Sequence, residues 1–468
     1  MTIANDTPAI RRVSFCTLGC KLNQAETNAI TALFVQQGWQ VVPFRNEADL
    51  TVINTCTVTG EADAKSRQAV RRAARTSPRG KVAVVGCYAQ VKPEAAAALE
   101  GVDLVLGTRE KYQLLDLLDQ IEGGEPDAPL VRVGSLSDVE TCDEIPFISA
   151  NGPSGSRKGP SGPGVLSGTG RTRAFLKVQE GCDYQCSYCI VPAARGRGHS
   201  RSLKDCLADA CQLVAEGYCE IVLTGVNIGT WEADDLRFHD LLAEVSEVEG
   251  LRRVRVSSIE PNLITDDIIQ LAAERENIAP HFHLPLQHAS DRVLKAMRRR
   301  YSIADYRAVV NRIVAALPDA AIGADVMVGF PGETEEDFRQ LAGALTDFPL
   351  TYHHVFRYSE REGTVASRMA AAVDPVVRKE RSAVLREISR QRRREVARRS
   401  IGQTRLVHFE RPDGNGSWEG LTDNYLRVKV PIPTPLDDPF QPVLLTGYGN
   451  STLLGNLSRP VGTPTGAA

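Results

Sequence analysis

Six times between Arg173 and Ser359 a short apolar run is followed by a segment with helical periodicity. A chain that repeats strand and helix at this interval builds a parallel sheet covered by helices, since a parallel partner is reached only by crossing back over the sheet. The strand segments are AFLKVQEG, EIVLTGVN, RVRVSSIEP, PHFHLPLQH, AIGADVMVGF and YHHVFRYS. Such a series predicts an open or partial (β/α)6 barrel, with chemistry at the carboxyl ends of the strands. The first 120 residues alternate in the same way. RRVSFCTLGC, ADLTVINTC and KVAVVGC are strands ending at Cys20, Cys56 and Cys87, and AETNAITALFVQQG is a helix closed by Gly38. Ligands of open parallel sheets bind outside the carboxyl ends of the strands, so three thiols are expected at one sheet edge.

The expected fold class is α/β, in four stretches. Residues 10–125 form an N-terminal parallel α/β domain, and 126–171 connect it onward through the Gly-, Ser- and Pro-rich run at 150–171. Residues 172–400 form the partial barrel with a basic C-terminal helix. After Gly402, TRLVHFE, GSWEGLT, YLRVKVP, PVLLTGYG and STLLGNL are short strands separated by Gly, Pro and Asn, which predicts a small β-barrel over 401–460. No apolar run approaches the roughly 18 residues of a membrane span, and MTIANDTPAIRR lacks the apolar core of a secretory signal. The expected setting is cytoplasmic, without a membrane.

Eleven cysteines, an odd number without a signal peptide, argue against a disulfide framework and for reduced thiols that bind metal or react. GCDYQCSYCIVPAARG sets Cys182, Cys186 and Cys189 at C-x3-C-x2-C on one loop. Three thiolates hold three irons of a cubane and leave the fourth iron open, whereas iron–sulfur clusters are ordinarily closed by four cysteines. A zinc knuckle is the other reading, with His199 or Cys206 as its fourth ligand. Cys16 lies inside its strand and reads as core; Cys142, Cys206, Cys211 and Cys219 read as structural.

C-x3-C-x-aromatic-C at the first strand end of a six-unit α/β barrel resembles the radical S-adenosylmethionine superfamily. TLGCKLNQAET, VINTCTVT, VVGCYAQ and the GCDYQCSYCIVPAARGRGHSR loop, followed by a C-terminal β module, resemble the methylthiotransferase family over almost the whole chain. The resemblance implies two [4Fe-4S] clusters with open irons. One would sit on Cys182, Cys186 and Cys189, where it binds and cleaves S-adenosyl-L-methionine to a 5′-deoxyadenosyl radical. The auxiliary one would sit on Cys20, Cys56 and Cys87 and carry the sulfur to be inserted. Two S-adenosylmethionine molecules per turnover, a sulfur source and an electron donor such as flavodoxin or ferredoxin are implied with it. TLGCK, NTCTVT, GCYAQ and CSYCIVP most resemble the branch that acts on N6-threonylcarbamoyladenosine at position 37 of tRNA. Other branches act on isopentenyladenosine-37 of tRNA or on a ribosomal-protein aspartate. A non-catalytic iron–sulfur RNA-binding protein is a rival of another class. The sequence departs from the family in QHAS at 287–290, where Q-S-G-S is commoner, and in GTVAS at 363–367, where G-T-P-A is usual.

Asn227, Ser258, Glu260, Gln287, Gly329 and Gly332 fall after successive barrel strands and resemble cofactor-binding positions of the superfamily. Each could instead cap a helix or shape a turn, as Thr265 before DDIIQ does. No separate general acid or base is assignable. The net charge of -3 predicts no polyanion partner globally, so a nucleic-acid surface has to be local. Residues 376–400 carry ten Lys or Arg against three Glu, and the β module after them resembles the RNA-binding TRAM domain. Arginines there could position tRNA through its phosphates, and Phe409, Trp418 and Tyr425 could stack on bases or pack in the core.

Overall fold

The computed structural model describes residues 10–122, 128–136, 172–413, 415–432 and 436–458. The chain divides into two compact units at residue 250, with 359–368 belonging to the first. Cys142 and the run at 150–171 lie outside the described residues.

The first unit opens with β1 (Arg12–Thr17), α1 (Lys21–Gln36), β2 (Gln40–Val42), β3 (Leu50–Thr55), α2 (Gly60–Thr76) and β4 (Lys81–Gly86). It continues through α3 (Cys87–Val91), α4 (Pro93–Ala97), β5 (Leu104–Leu106), α5 (Leu114–Glu122) and β6 (Leu130–Arg132). These strands form one parallel sheet in the order β2-β1-β3-β4-β5-β6. The two faces are filled by alternate residues. Leu50, Val52, Ala83 and Val85 pack with Phe34 and Leu118, while Ile53, Val82 and Val84 pack with Val70 and Ala96. A strand buried on both faces reads as an unbroken apolar run, as VAVVG does. Each fully buried Val or Leu contributes about 1.5–3 kcal/mol. The sheet gains β2 and β6, three-residue edge strands that the sequence pattern did not reveal.

The same unit holds β7 (Arg173–Lys177), β8 (Gln179–Glu180), α6 (Val191–Arg195), β9 (His199–Ser200), α7 (Leu203–Ala215) and β10 (Glu220–Thr224). The ribbon β11 (Glu232–Ala233) and β12 (Leu236–Arg237) leads into α8 (Phe238–Ser246). β7 and β10 pair in parallel, and β8 pairs antiparallel with β9, closing the base of the cysteine loop between them. Ser202 starts α7 by accepting a hydrogen bond from the Asp205 amide at 3.1 Å.

The second unit holds β13 (Arg253–Val256), α9 (Asp266–Glu274), β14 (His281–His283), α10 (Asp291–Ala296), α11 (Ile303–Ala316) and β15 (Ala321–Val328). Then come α12 (Glu335–Asp347), β16 (Tyr352–Arg357) and the 26-residue α13 (Pro375–Ser400). β14, β15 and β16 form a parallel sheet, and parallel bridges from Val254 and Ser258 bring β13 against β14. All six expected barrel strands are present. The chain ends in β17 (Thr404–Pro412), β18 (Ser417–Thr422), β19 (Arg427–Pro431), β20 (Phe440–Gly449) and β21 (Thr452–Leu457). These close into a barrel in the order β17-β18-β19-β21-β20, around Val407, Phe409, Val428, Val443 and Leu445. Phe409 is therefore core, and Trp418 packs against that core. Tyr425, at φ 67°, lies 4.4 Å from the His281 ring and against Arg255. Among the described residues no helix is long and apolar enough to cross a membrane.

Candidate functional site

Cys20, Cys56 and Cys87 follow β1, β3 and β4, three neighbouring strands, so the parallel sheet itself brings them to one edge. Cys20 precedes the first turn of α1 and Cys87 opens α3. Two turns make the close approach feasible. Gly19 has φ 106°, and a Cβ there would stand 2.9 Å from the Cys56 Cβ and 3.2 Å from its Sγ. Gly86, at φ 89°, turns the chain beside Asn54 and Thr55. The Cys20 thiol donates to Asn23 Oδ1 at 3.3 Å, and Asn23 Nδ2 donates to the Thr55 carbonyl at 2.9 Å. Thr55 Oγ1 accepts from the Tyr88 amide at 3.2 Å. One polar lattice thus spans the three cysteine turns. Burial pushes the Cys56 thiol up to about 12 and raises that of Cys87, with Arg195 opposing the rise at both.

The second triple lies on the loop between β8 and α6. Gly181, at φ 65°, passes so close to the Arg197 carbonyl that no side chain fits. The amide of Cys182 donates to the Gly196 carbonyl at 3.2 Å, and that of Cys189 to the Cys186 carbonyl at 3.0 Å. The Cys182 sulfur accepts from the Tyr184 amide and the Cys189 sulfur from the Val191 amide, both at 3.4 Å. Both sulfurs are thus held by the loop's own backbone. Of the expected cofactor contacts, Asn227 is brought to this loop. Gln179 Oε1 holds its backbone amide at 2.8 Å, its Nδ2 stands 4.0 Å from the Cys182 sulfur, and its buried Oδ1 has no hydrogen-bond partner.

Residues 359–368 lie alongside both triples. Arg361 donates to Asp63 Oδ2 at 2.8 Å and to the Thr57 carbonyl at 3.3 Å, next to Cys56. The Ala366 amide donates to the Ser187 carbonyl, between Cys186 and Cys189, at 2.7 Å. This contact comes from within GTVAS, the run that departs from the family pattern.

Residues 12–107 match the family model described as "Uncharacterized protein family UPF0004", and residues 176–345 match the Radical SAM superfamily. A threonylcarbamoyladenosine tRNA methylthiotransferase MtaB of Bacillus subtilis (strain 168) is 40% identical over 423 residues, covering 89% of each chain. Its namesake from Aquifex aeolicus (strain VF5) is 36% identical, over 89% of this chain and 96% of that one. The chain belongs to the radical SAM tRNA methylthiotransferase family. A Bartonella quintana (strain Toulouse) relative named tRNA-2-methylthio-N(6)-dimethylallyladenosine synthase is 33% identical, over 87% of this methylthiotransferase and 88% of the relative. Among solved structures, the radical S-adenosylmethionine methyltransferase TsrM from Kitasatospora setae matches with a TM-score of 0.54 at 16% identity, covering 74% and 72% of the two chains, a likeness of fold. A [4Fe-4S] cluster and S-adenosylmethionine are the cofactors of this superfamily.

Neither donor set of the methylthiotransferase is gathered as tightly as a single ion would require. A tetrahedral zinc would draw sulfurs to about 3.8 Å from one another. Among the described residues, the one group of three or more ligand atoms within 4.8 Å of one another is His283, Asp325 and His354; neither cysteine triple is drawn in so tightly. Cys206, offered by the zinc reading, is buried in α7 with its thiol pushed up to about 12 by burial. Cys16 is half-buried against the sheet core, and burial pushes its thiol up to about 11.

The second unit holds the other expected contacts. Ser258 Oγ lies 2.7 Å from His283 Nδ1, and His283 Nε2 lies 3.3 Å from Asp325. Gln287, at φ 58°, donates its amide to the Asp325 carbonyl at 2.8 Å. Glu260 pairs with Arg299; burial raises its carboxyl nonetheless, with that guanidinium opposing. Gly329 and Gly332 shape the turn before α12 at φ 77° and 79°. The Gly329 amide donates to Glu333 Oε2 at 2.7 Å, and Thr334 caps α12, so this turn is also explained by the helix it starts. In QHAS, buried His288 stands 3.5 Å from Glu333 and Ser290 donates to Asp337 at 2.6 Å.

Sequence reasoning missed a set of buried charges. Glu26 of α1, Lys111 before α5, Lys177 of β7, Glu180 of β8 and Arg195 of α6 are all buried together. Arg195 donates to Glu26 and to Glu180, each at 2.8 Å, and Lys111 pairs with Glu26 at 2.7 Å. Burial alone would raise the Glu26 carboxyl, but Arg195, Lys111 and Lys177 hold it well below the usual range. Lys177 and Arg195 outweigh burial at Glu180 and bring it to about 2. The available signal was the charge inside apolar segments, in AFLKVQEG above all.

Proposed function

We propose that the enzyme converts N6-threonylcarbamoyladenosine at position 37 of tRNA to its 2-methylthio derivative. The observation that carries this reading is the pair of three-cysteine sites, each fixed by its own backbone turns, in a chain whose relatives named for this nucleoside are 30–40% identical. On this reading Cys182, Cys186 and Cys189 hold one [4Fe-4S] cluster and Cys20, Cys56 and Cys87 hold a second. Asn227 offers its unpaired Oδ1 to S-adenosylmethionine. Ser258, Glu260, Gln287, Gly329 and Gly332 are further proposed contacts. When bound, the clusters and two equivalents of S-adenosylmethionine supply the radical and the methylated sulfur that the C2–H bond of adenine, which has no acid–base route to substitution, requires. The protein's part is to present the thiols on fixed turns, orient the cofactor and exclude water. An electron donor and a sulfur source complete the turnover, in a cytoplasmic setting. The four stretches expected from the sequence, with the closing barrel as a TRAM-like module, are retained as its organisation.

Mass spectrometry of tRNA nucleosides from a deletion strain tests this. The methylthio-threonylcarbamoyl nucleoside is expected to vanish, to return with the native chain, and to stay absent with Cys186→Ala. An unchanged level would overturn the substrate, and loss of the methylthio-isopentenyl nucleoside would favour the activity named for the Bartonella relative.

A further inference from the structure

Arg195 is the hinge of the buried charge set. Its Nη2 donates to Asn23 Oδ1 at 2.8 Å, and that same oxygen accepts from the Cys20 thiol. Its Nη1 donates to Glu26, one turn further along α1, and to Glu180, two residues before Cys182. Thr108 Oγ1 holds the Ala194 carbonyl at 2.7 Å, so the end of α6 is fixed against the N-terminal sheet. The five charged side chains number three cations and two carboxylates, and all are shut away from solvent. Burying charge without a counter-charge is costly. A set that carries net positive charge beside three thiols is the complement of an anion assembled on those thiols.

We propose that Arg195 is a positioning residue that supplies the counter-charge for the anionic iron–sulfur group on Cys20, Cys56 and Cys87, and that Glu26 sets how much of that charge the group feels. This inference rests on the assignment of a cluster to these three cysteines. Asn23 lies between the guanidinium and Cys20, so the cation stands one side chain away from that sulfur. Because Arg195 follows Cys189 on the second loop, the same side chain ties the two cysteine loops together. Removing it leaves two cations for the two carboxylates, so by count Arg195 brings the surplus charge, while it also bonds both Glu26 and Glu180.

The test uses the full-length chain with Cys182, Cys186 and Cys189 changed to Ala, reconstituted anaerobically with iron and sulfide. Iron content, release of iron to a chelator and an EPR-monitored redox titration are then measured. Arg195→Gln is expected to release iron several-fold faster and to shift the midpoint potential downward, since a lost cation disfavours the reduced, more negative group. Glu26→Gln is expected to shift it upward, and Arg195→Lys to stay near the parent. A merely structural role would move both variants in the same direction or leave both unmoved, and either result overturns the inference. Should Arg195→Gln lose its thermal transition, Glu26→Gln decides alone, and a midpoint that fails to rise overturns the inference. A parent that takes up no iron would overturn this inference and the N-terminal cluster assignment together.

Discussion

At the residue scale the N-terminal site depends on what is absent from a side chain as much as on what is present. Gly19 joins β1 to α1 in a conformation that other residues rarely adopt, and its missing Cβ is the space the Cys56 side chain uses. Gly19→Ala is expected to destabilise the first unit by about 1–3 kcal/mol and to halve the iron bound per chain on reconstitution. A thermal melt and an iron assay check the two effects, and unchanged iron would show that Cys56 has room to shift. The cysteines themselves were legible because each interrupts an apolar run at its end. Glu26, Lys111 and Arg195 were not, because sequence patterning assigns charges to solvated faces. Glu26 shows the limit of that rule. It lies on a helix buried on nearly every side, where Leu22, Asn23, Ala25 and Thr27 are also buried and no amphipathic stripe marks the inward face.

Among the elements, α13 is a strongly basic stretch, with ten Lys or Arg against three Glu over residues 376–400. Part of that charge is structural: Arg381 pairs with Glu333 and Glu335, Arg390 with Glu387, and Arg392 with Glu395. Arg386, Arg394 and Arg398 are exposed, and the last two are helix neighbours four residues apart. Changing these three to Gln is expected to weaken tRNA binding across tRNA species alike and to lower the slope of log affinity against log salt by about 2–3. Filter binding at several salt concentrations measures this, and an unaltered slope would remove the helix from the RNA surface. The strands of both parallel sheets and of the closing barrel were legible from apolar runs bounded by Gly, Pro and Asn. β2 and β6 were not, since three residues at a sheet edge are too few to establish a period. Phe409 shows why aromatic content alone does not mark an RNA surface: the barrel needs it inside.

Across the whole molecule, the two units are expected to respond to acid in different windows. His353 of β16 is buried against α13, its Nε2–H donating to the Leu385 carbonyl at 2.8 Å. Burial brings this histidine down to about 4 from 6.5, with the Leu385 hydrogen bond opposing. Below pH 6.5 the unfolded chain therefore binds the proton more readily than the folded one. The second unit loses stability as pH falls from about 6.5 to 4, by at most about 3 kcal/mol from this residue. Glu180 titrates near 2 in the folded chain against 4.5 unfolded, so its contribution to the first unit is whole above pH 4.5 and fades only below it. Melts at pH 7.5 and 5 are expected to fall for the native chain and to fall less for His353→Gln. Equal losses in both would place the acid sensitivity elsewhere.

The segment at 359–368 has a consequence for how the protein is made. Ser359 accepts a hydrogen bond from the Gly60 amide across 299 positions of sequence. A ribosome adding about 5–20 residues per second needs roughly 15–60 s to cover that distance. Through that interval Cys20, Cys56 and Cys87 have already been synthesised, while the stretch that lies beside Thr57 does not yet exist. The nascent first unit is thus a sheet with its thiol edge less covered than in the finished protein, and any factor that delivers iron or sulfide during translation meets it in that form.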